Sequence, residues 1–353
     1  MKKIRIVDLF AGIGGIRLGF SNAADSLGKE VSCVYTSEID KYACKTYSKN
    51  FSNDNHNPLN DITKINEKEL PNFDVLLAGF PCQAFSIAGK RGGFEDTRGT
   101  LFFDVARIIK EKRPAAFLLE NVKGLVNHRG GKTLSTILNV LENDLGYVSV
   151  QFKVLNARNF GVPQNRERVY IVGFKKGGGG FKFPVTVDDS KRLFDIIEED
   201  TVSVKYYLSE TYVSSMRKHK ERHAAKGNGF GYEIKSYDDV ANAIVCGGMG
   251  KERNLLIDNR QKILIPITKI KGDVNKEGIR RMTPIEWERL QGFPDNWTDL
   301  IADVHRYKQL GNSVAVPVIE AVAKEVINEL LNPHPCIIHK KKTTQIELIF
   351  DEV

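Results

Sequence analysis

A chain of 353 residues with 41% hydrophobic and 27% charged residues has the composition of a folded globular protein, long enough for one large core or two unequal ones. No apolar run approaches the roughly 20 residues that cross a bilayer, and the basic start, Met1-Lys-Lys-Ile-Arg-Ile-Val, lacks an apolar signal core, so neither a membrane protein nor a secreted one is expected. The five cysteines include no C-x-x-C pair, which argues against a disulfide framework or a zinc site and for a reducing cytoplasm, and the net charge of +8 permits a polyanionic partner.

Along the first half, short β-branched runs alternate with amphipathic stretches. Strands are predicted at Ile4–Leu9, Val31–Thr36, Phe73–Ala78, Ala115–Leu119, Val148–Leu155 and Arg168–Phe174. Helices are predicted at Gly15–Leu27, Tyr42–Phe51, Leu101–Lys112 and Thr133–Leu145. This alternation implies an α/β fold, Rossmann-like, with a mostly parallel sheet and helices on both faces; such folds bind ligands at the carboxyl ends of their strands. At Lys175-Lys-Gly-Gly-Gly-Gly180 the pattern breaks, and four glycines in a row read as a flexible connector. From there to about residue 280 a second, smaller domain is expected. Helical patterns return at Thr283–Leu290 and Ser313–Leu331, and the tail from Lys340 reads as a solvated end.

Five motifs compete for the chemistry. Asp8-Leu-Phe-Ala-Gly-Ile-Gly-Gly15 is a strand opening into glycines and a helix, which can cradle a nucleotide-like cofactor or make a tight βα turn. Glu38, beyond the second strand, suits ribose hydroxyls. Gly130-Gly-Lys-Thr133 resembles the end of a phosphate loop, but Val126 stands where that loop needs glycine; it reads as a loop entering a helix. In Gly79-Phe-Pro-Cys-Gln-Ala-Phe-Ser86, Cys82 follows a strand end. A lone cysteine is commonly a small buried hydrophobe, yet Pro81 fixes the backbone here, and Lys90, Arg91 and Arg98 would favour a thiolate. Glu120, in Glu120-Asn-Val122, ends another strand and is either a cap or a carboxyl facing the same crevice. Arg166 and Arg168, in Gln164-Asn-Arg-Glu-Arg168, either hold an anion or carbonyl or form a salt-bridged stripe with Glu167.

Taken together, the chain resembles the bacterial DNA cytosine-C5 methyltransferases. "DLFAGIGG" is similar to their cofactor motif, "GFPCQAFS" to their catalytic proline-cysteine motif, and "ENV" and "QNRERVYIVG" to later catalytic motifs. "RRMTPIEWERLQGFPD" (Arg280–Asp295) and "YKQLGNSVAVPVI" (Tyr307–Ile319) resemble the last two, and the series keeps the family's order over nearly the whole chain.

The resemblance implies a class I methyltransferase fold and S-adenosylmethionine as methyl donor, with S-adenosylhomocysteine as product and no metal. It implies that Cys82 attacks carbon 6 of cytosine, that Glu120 protonates N3, and that Arg168, with Arg166 near it, holds O2 and the adjoining backbone. For the cofactor it implies Asp8, Phe10, Ala11, Gly12, Ile13 and Gly15 in the glycine turn, and Glu38 on the ribose. Ile39 would lie against the adenine, Asp61 on its amine with Ile62 beside it, and Pro81, Leu101, Asn312, Ser313 and Val314 around the rest. Residues 1–174 would form the catalytic and cofactor-binding domain, 175–300 the target-recognition domain, and 301–353 a segment returning to the first.

Double-stranded DNA is the expected partner. Met216–Lys226 carries five Lys or Arg against one Glu, plus two histidines. Arg217, Lys218, Lys220, Arg222, Lys226 and Asn228 are therefore candidate DNA contacts, with Ser86, Lys90, Arg91 and Arg98 on a mobile loop, Phe85 to about Gly99. A cytoplasmic monomer, nucleoid-associated through DNA and encoded near a companion restriction endonuclease, completes the expectation. A thiol hydrolase or dehydrogenase is disfavoured by the histidine positions and the glycine spacing. A non-catalytic DNA-binding homologue is opposed by the intact Pro81-Cys82 and Glu120.

Overall fold

The computed structural model describes residues 3–81, 101–229, 231–247, 250–265 and 272–336. The first half builds one six-stranded sheet. Strands β1 (Ile4–Leu9) and β2 (Val31–Ser37) are followed by β3 (Val75–Gly79), β4 (Ala116–Val122) and β5 (Ser149–Asn156). After the two-residue β6 (Gln164–Asn165) comes β7 (Glu167–Phe174), and the sheet order is β2-β1-β3-β4-β7-β5. All pairings are parallel except those of β7, which runs antiparallel to both neighbours. That reversal follows from the short connection out of β5, which brings the chain straight back along the sheet. The predicted strands stand within two residues of those observed, except that β4 runs three residues past its predicted end at Leu119, to Val122.

Why the sheet is buried on both sides is written in its period of two. Ile6, Val75, Leu77, Ala116 and Leu118 point to one face, where α1 (Gly15–Ser26) and α9 (Val316–Leu331) pack. Val7, Leu76, Ala78, Phe117 and Leu119 point to the other, under α3 (Leu101–Lys112) and α5 (Lys132–Asn139). Each fully buried leucine or phenylalanine in these layers contributes about 1.5–3 kcal/mol. Between α1 and α3 lies α2 (Lys41–Asn50), capped by Asp40; the short α4 (Gly124–Asn127) follows β4. Gly131, in the left-handed region, leads into α5, so the Gly130–Thr133 stretch is indeed a helix entry. The predicted helix Thr133–Leu145 stops early: after Asn139 the chain widens into a π-turn, Val140–Asp144.

Past β7 the elements are small. Helix α6 (Glu210–Ala224) is accompanied by two-residue strands: β8 (Ala241–Asn242) pairs with β6, and β9 (Leu256–Ile257) with β10 (Ile279–Arg280). Then α7 (Pro284–Leu290) and α8 (Asp303–Asn312) lead into α9. Neither α6 nor α8 was legible as a helix in the sequence, because polar and charged residues interrupt their apolar stripes. The end of the chain does return to the start. Gly19 of α1 has Ile319 of α9 where a β-carbon would stand, 2.7 Å away, and Trp297 donates its indole N–H to the Ile13 carbonyl at 2.9 Å.

The four glycines at 177–180 correct the expectation of a flexible connector. Gly178 N–H donates to Glu329 Oε1 at 2.7 Å, and Gly179 N–H to the His334 carbonyl at 3.2 Å. A β-carbon on Gly178 would fall 2.5 Å from Ser149 Cβ, and one on Gly179 would fall 2.2 Å from the Pro335 carbonyl oxygen. Glycine is present because the backbones cross too closely for a side chain, and Gly178 also holds φ 87°. Gly178→Ala should therefore lower stability by about 1–3 kcal/mol, read as a lower urea midpoint at unchanged slope. An unchanged midpoint would mark this stretch as a mere linker after all.

Candidate active site

The strand order reverses at β1, so a crevice opens at the carboxyl ends of β1 and β3. After β1 the chain takes positive φ at Phe10 (55°), Gly12 (56°) and Gly14 (85°). Phe10 bears this strain without being glycine, a pattern that clusters at ligand sites. A β-carbon on Gly12 would meet nothing within 4 Å, whereas Gly14 is closed by Phe51 and Gly15 by Ser313, Val314 and Phe293. The turn is thus sealed from behind by the returning segment Asn312–Val314 and open at Gly12.

Gly12 N–H donates to Glu38 Oε2 at 2.8 Å, and the N–H groups of Ile39 and Asp40 donate to Oε1 at 2.8 and 2.7 Å. Three backbone donors hold this carboxylate at the end of β2 and leave it further lone pairs. Beside it lies a cleft of about 780 Å³ lined by Tyr35, Ile39, Asn60, Asp61 and Ile65. Ile39 is 69% exposed on its rim, ready to cover an apolar ring. Asp61 accepts from the hydroxyl and N–H of Thr63, and these bonds hold its carboxyl below the usual range. Leu101, first in α3, packs against the same core as Phe10, and Pro81 is exposed past the end of β3. The side chains of Ala11, Ile13, Ile62 and Val314 do not line the cleft. All four are buried, the last three inside the apolar cores, so they shape the site from behind.

Two strands away, Glu120 sits near the end of β4, opposite Gly79 of β3 and Tyr170 of β7. Gly79 leaves room over the carboxyl: a β-carbon there would stand 3.5 Å from Glu120 Oε2. Arg168 Nε lies 3.1 Å from Glu120 Oε1. Burial pushes the Glu120 pKa up, against the pull of Arg168 and then Arg166. The next residue, Asn121, is also buried. Its Nδ2 donates to the Phe80 carbonyl at 2.7 Å, and its Oδ1 accepts from the Val122 N–H at 2.8 Å. Asn121 therefore pins the backbone one residue before Pro81, a role the sequence reading missed because it weighed only the glutamate of Glu120-Asn-Val122. Cys82, Ser86, Lys90, Arg91 and Arg98 lie outside the described residues, as does the proposed mobile loop.

A description of C-5 cytosine-specific DNA methylases matches residues 4–328. The chain belongs to the C-5 cytosine-specific DNA methylase family. It is 58% identical over 335 residues to the Type II methyltransferase M.HpaII of Haemophilus parainfluenzae, covering 94% of this chain and 91% of that one. It is 44% identical to M1.ScrFI of Lactococcus lactis subsp. cremoris, over 93% of this chain and 79% of that one. Among solved structures, the Entamoeba histolytica methyltransferase EhMeth shares the fold, with a TM-score of 0.70 at 21% identity over 94% of this chain and 99% of that one.

The carboxyl of Glu120 is paired with an arginine, and the two arginines of Gln164-Asn-Arg-Glu-Arg168 divide their work. Arg168 holds Glu120. Arg166 is buried and donates to the carbonyls of Ile244 at 2.7 Å, Gly311 at 3.2 Å and Ser313. It joins the second half of the chain to the first, and its terminal nitrogens are spent on backbone carbonyls rather than turned with Arg168 toward Glu120. Gln164 works with it, taking the Ile244 N–H at 3.0 Å and donating to the Leu290 carbonyl at 2.8 Å. The alternative of a salt-bridged stripe with Glu167 also fails, since Glu167 pairs with Lys123.

The basic stretch expected to meet DNA forms the second half of α6 and the turn after it. Its apolar side, Val213 and Met216, packs on Leu208, Leu255 and Ile279. Arg217 is spoken for by Glu277 (2.6 Å), and Lys220 reaches the Tyr232 carbonyl and ring. Arg222 bonds the Lys218 carbonyl; Lys218, Arg222, Lys226 and Asn228 are exposed.

Asp8 is the remaining ionisable group of the cofactor motif, and it is fully buried. Burial pushes its pKa from 3.8 to about 7, against Arg17 and a hydrogen bond from Tyr47, while Glu38 and Asp54 add to the rise. Nearby, Cys33, Asp54 and His56 come within 4.8 Å of one another, but both terminal nitrogens of Arg17 already hold Asp54, so the cluster's charge is met from within. Cys33 and Cys44 are buried, and burial raises both thiols, as befits structural cysteines. A carboxyl raised on folding stabilises the fold most fully at pH below its unfolded pKa, and that contribution is lost as pH climbs toward about 7; the rise corresponds to roughly 4 kcal/mol. In the ligand-free protein, Asp8→Asn should gain stability relative to wild type between pH 5 and pH 8, by urea midpoints. A difference independent of pH would mean that Asp8 is not buried in the charged form.

Proposed function

We propose that the protein moves a methyl group from S-adenosylmethionine to carbon 5 of a cytosine swung out of a specific duplex DNA sequence, with Cys82 as nucleophile and Glu120 as proton donor. The observation that carries this reading is Glu120: a buried carboxyl of raised pKa, clamped by Arg168, at a strand end beside the strand that leads to Pro81-Cys82. Carbon 5 of cytosine is a poor nucleophile. When a thiolate bonds to carbon 6, the C5–C6 π pair moves to carbon 5, and N3 takes the proton of Glu120. Carbon 5 then bonds the methyl group as its bond to the donor's sulfur breaks; the proton on carbon 5 leaves to a base, the C6–S bond breaks to restore the Cys82 thiolate, and N3 returns its proton to Glu120. Arg168 keeps the Glu120 carboxyl aimed and would hold the O2 edge of the base. No step calls for a metal.

The crevice fits the cofactor. Glu38 would take the ribose hydroxyls, Phe10 and Ile39 the two faces of the adenine, and Asp61 its amine. The open backbone at Gly12 and the sealing segment Asn312–Ser313 would enclose the methionine end, with Asp8 buried behind. The cofactor supplies an activated methyl group when bound. The methylases named above as relatives are Type II methyltransferases, which supports protection of host DNA beside a restriction endonuclease. Residues 175–300 serve target recognition, with Lys218, Arg222, Lys226 and Asn228 as the exposed candidates on α6 and the turn behind it. The protein works as a monomer in the cytoplasm, held to the nucleoid by DNA.

The target is first read by bisulfite sequencing of DNA from cells expressing the protein. Duplex DNA carrying 5-fluorocytosine at that position should then form a complex that survives denaturing gels, and only with the methyl donor present, because fluorine cannot leave as a proton does. Cys82→Ser should form none, yet still bind DNA. Glu120→Gln should slow trapping by about 10²- to 10⁴-fold. Trapping that persists in Cys82→Ser, through Cys246 or another cysteine, would overturn the assignment.

A further inference from the structure

Beneath the glycine turn a line of hydroxyls joins the buried Asp8 to a histidine at the surface. Tyr47 Oη lies 3.4 Å from Asp8 Oδ2; Thr36 Oγ1 lies 3.0 Å from Tyr47 Oη and 2.8 Å from His56 Nε2. Thr36 and Tyr47 are almost wholly buried, whereas the His56 side chain keeps 19% of its surface in water. The other oxygen of Asp8, Oδ1, is buried without a hydrogen-bond partner among the described residues. A buried carboxyl with an idle oxygen, wired by its other oxygen to the solvent, is not needed for packing.

The hydrogen bonds admit two directions. Arg17 donates to Tyr47 Oη at 2.9 Å and takes one of its lone pairs. With Asp8 protonated, Asp8 donates to Tyr47, Tyr47 to Thr36, and Thr36 to His56 Nε2. With Asp8 ionised, every bond is reversed and His56 Nε2–H donates to Thr36. Passing one proton outward converts the first state into the second: each hydroxyl gives a proton as it takes another, and His56 then sheds the proton on Nδ1 to water. The groups facing Asp8 are Arg17 from α1, Tyr47 from α2, Cys33 and Glu38 from β2 and its end, and Asp54 from the loop after α2; His56, from the same loop, faces Asp54 and Arg17. One cation thus stands among several acidic or ionisable neighbours, and Arg17 is already engaged by Asp54.

We propose that His56, Thr36 and Tyr47 form a proton path between solvent and Asp8, and that Asp8 gives up a proton along it when a cationic methyl donor fills the adjoining crevice. This rests on the cofactor reading above. S-adenosylmethionine carries a sulfonium charge that S-adenosylhomocysteine has lost, so an ionised Asp8 favours donor over product. The donor should bind more tightly as pH rises through neutrality, and the product much less so. Burial holds the His56 pKa below its ordinary value, against the raising effect of Asp54, which keeps the ring neutral and able to accept the proton.

The test uses calorimetry of the full chain in two buffers of different protonation enthalpy near pH 6.5. Binding of S-adenosylmethionine should release about one proton, S-adenosylhomocysteine clearly less, and Asp8→Asn should abolish the difference. Stopped-flow mixing with a pH indicator separates path from carboxyl. Tyr47→Phe and His56→Leu should slow proton release on the order of tenfold or more, and His56→Leu, which keeps the Tyr47–Asp8 bond, should leave its stoichiometry and the affinity at pH 8 unchanged. Thr36→Val, which alters no charge and little volume, guards against a misfolded Tyr47 variant. Donor binding without proton release, or release at the wild-type rate in all three path variants, overturns the proposal alone. A wild-type protein that does not bind the donor overturns the cofactor reading itself.

Discussion

A carboxyl group that is to hand a proton to a base must hold that proton more firmly than a carboxylate in water does, yet keep its place while it does so. Glu120, proposed for that part, meets both demands through the pairing of β4 with β7. Burial between strands raises its pKa, and the antiparallel neighbour brings Arg168 to within 3.1 Å of its oxygen. Were β7 parallel like the other strands, its start, where Arg168 sits, would lie at the opposite edge of the sheet. The reversed strand is what sets the arginine beside the crevice. An ion pair this buried is no sure gain in stability, since desolvation offsets attraction. Its worth here lies in the fixed aim of the carboxyl.

The cofactor crevice is built on the same economy of backbone. Gly12 donates to Glu38, and Glu38 in turn gathers the N–H groups of Ile39 and Asp40, so the ends of β1 and β2 hold one another before any ligand arrives. Phe10 stays in the left-handed region because the structure on both sides determines it: β1 before, the sealed glycines after. Pre-set groups of this kind reduce what a ligand must spend on ordering its site.

How much of this was legible in the sequence depends on range. The strands of the first half were found within two residues at all but the far end of β4, because each is a dense β-branched run whose two faces meet two helical layers. Glu120 and the glycine turn could be placed at strand ends from the sequence, but the residues alone left each with two readings, and the resemblance to a family chose between them. The tetraglycine was misread: composition shows freedom to bend, while the reason for these glycines is Ser149, Glu329 and Pro335, which lie far away in sequence. Arg166 was misread for a related reason. A spacing of two places both arginines on one side of an ideal strand, but residue 166 falls between β6 and β7, where no such alternation holds. Helix α6 escaped notice because only Val213 and Met216 of its fifteen residues are buried.

Arg166, Gln164 and Gln291 also bear on how the second half of the chain can vary while its attachment to the first is kept. Their side chains are buried where the two halves of the chain meet. Their partners there are chiefly backbone groups: the N–H and carbonyl of Ile244, and the carbonyls of Leu290, Leu310, Gly311 and Ser313. A bond to the backbone does not ask which side chain the partner residue carries. The second half can therefore vary in sequence without losing this attachment, provided its chain path is kept. The constraint that does remain is one of space. A β-carbon on Gly311 would stand 2.5 Å from the backbone nitrogen of Cys246, so it is at the end of α8 that the junction tolerates no side chain.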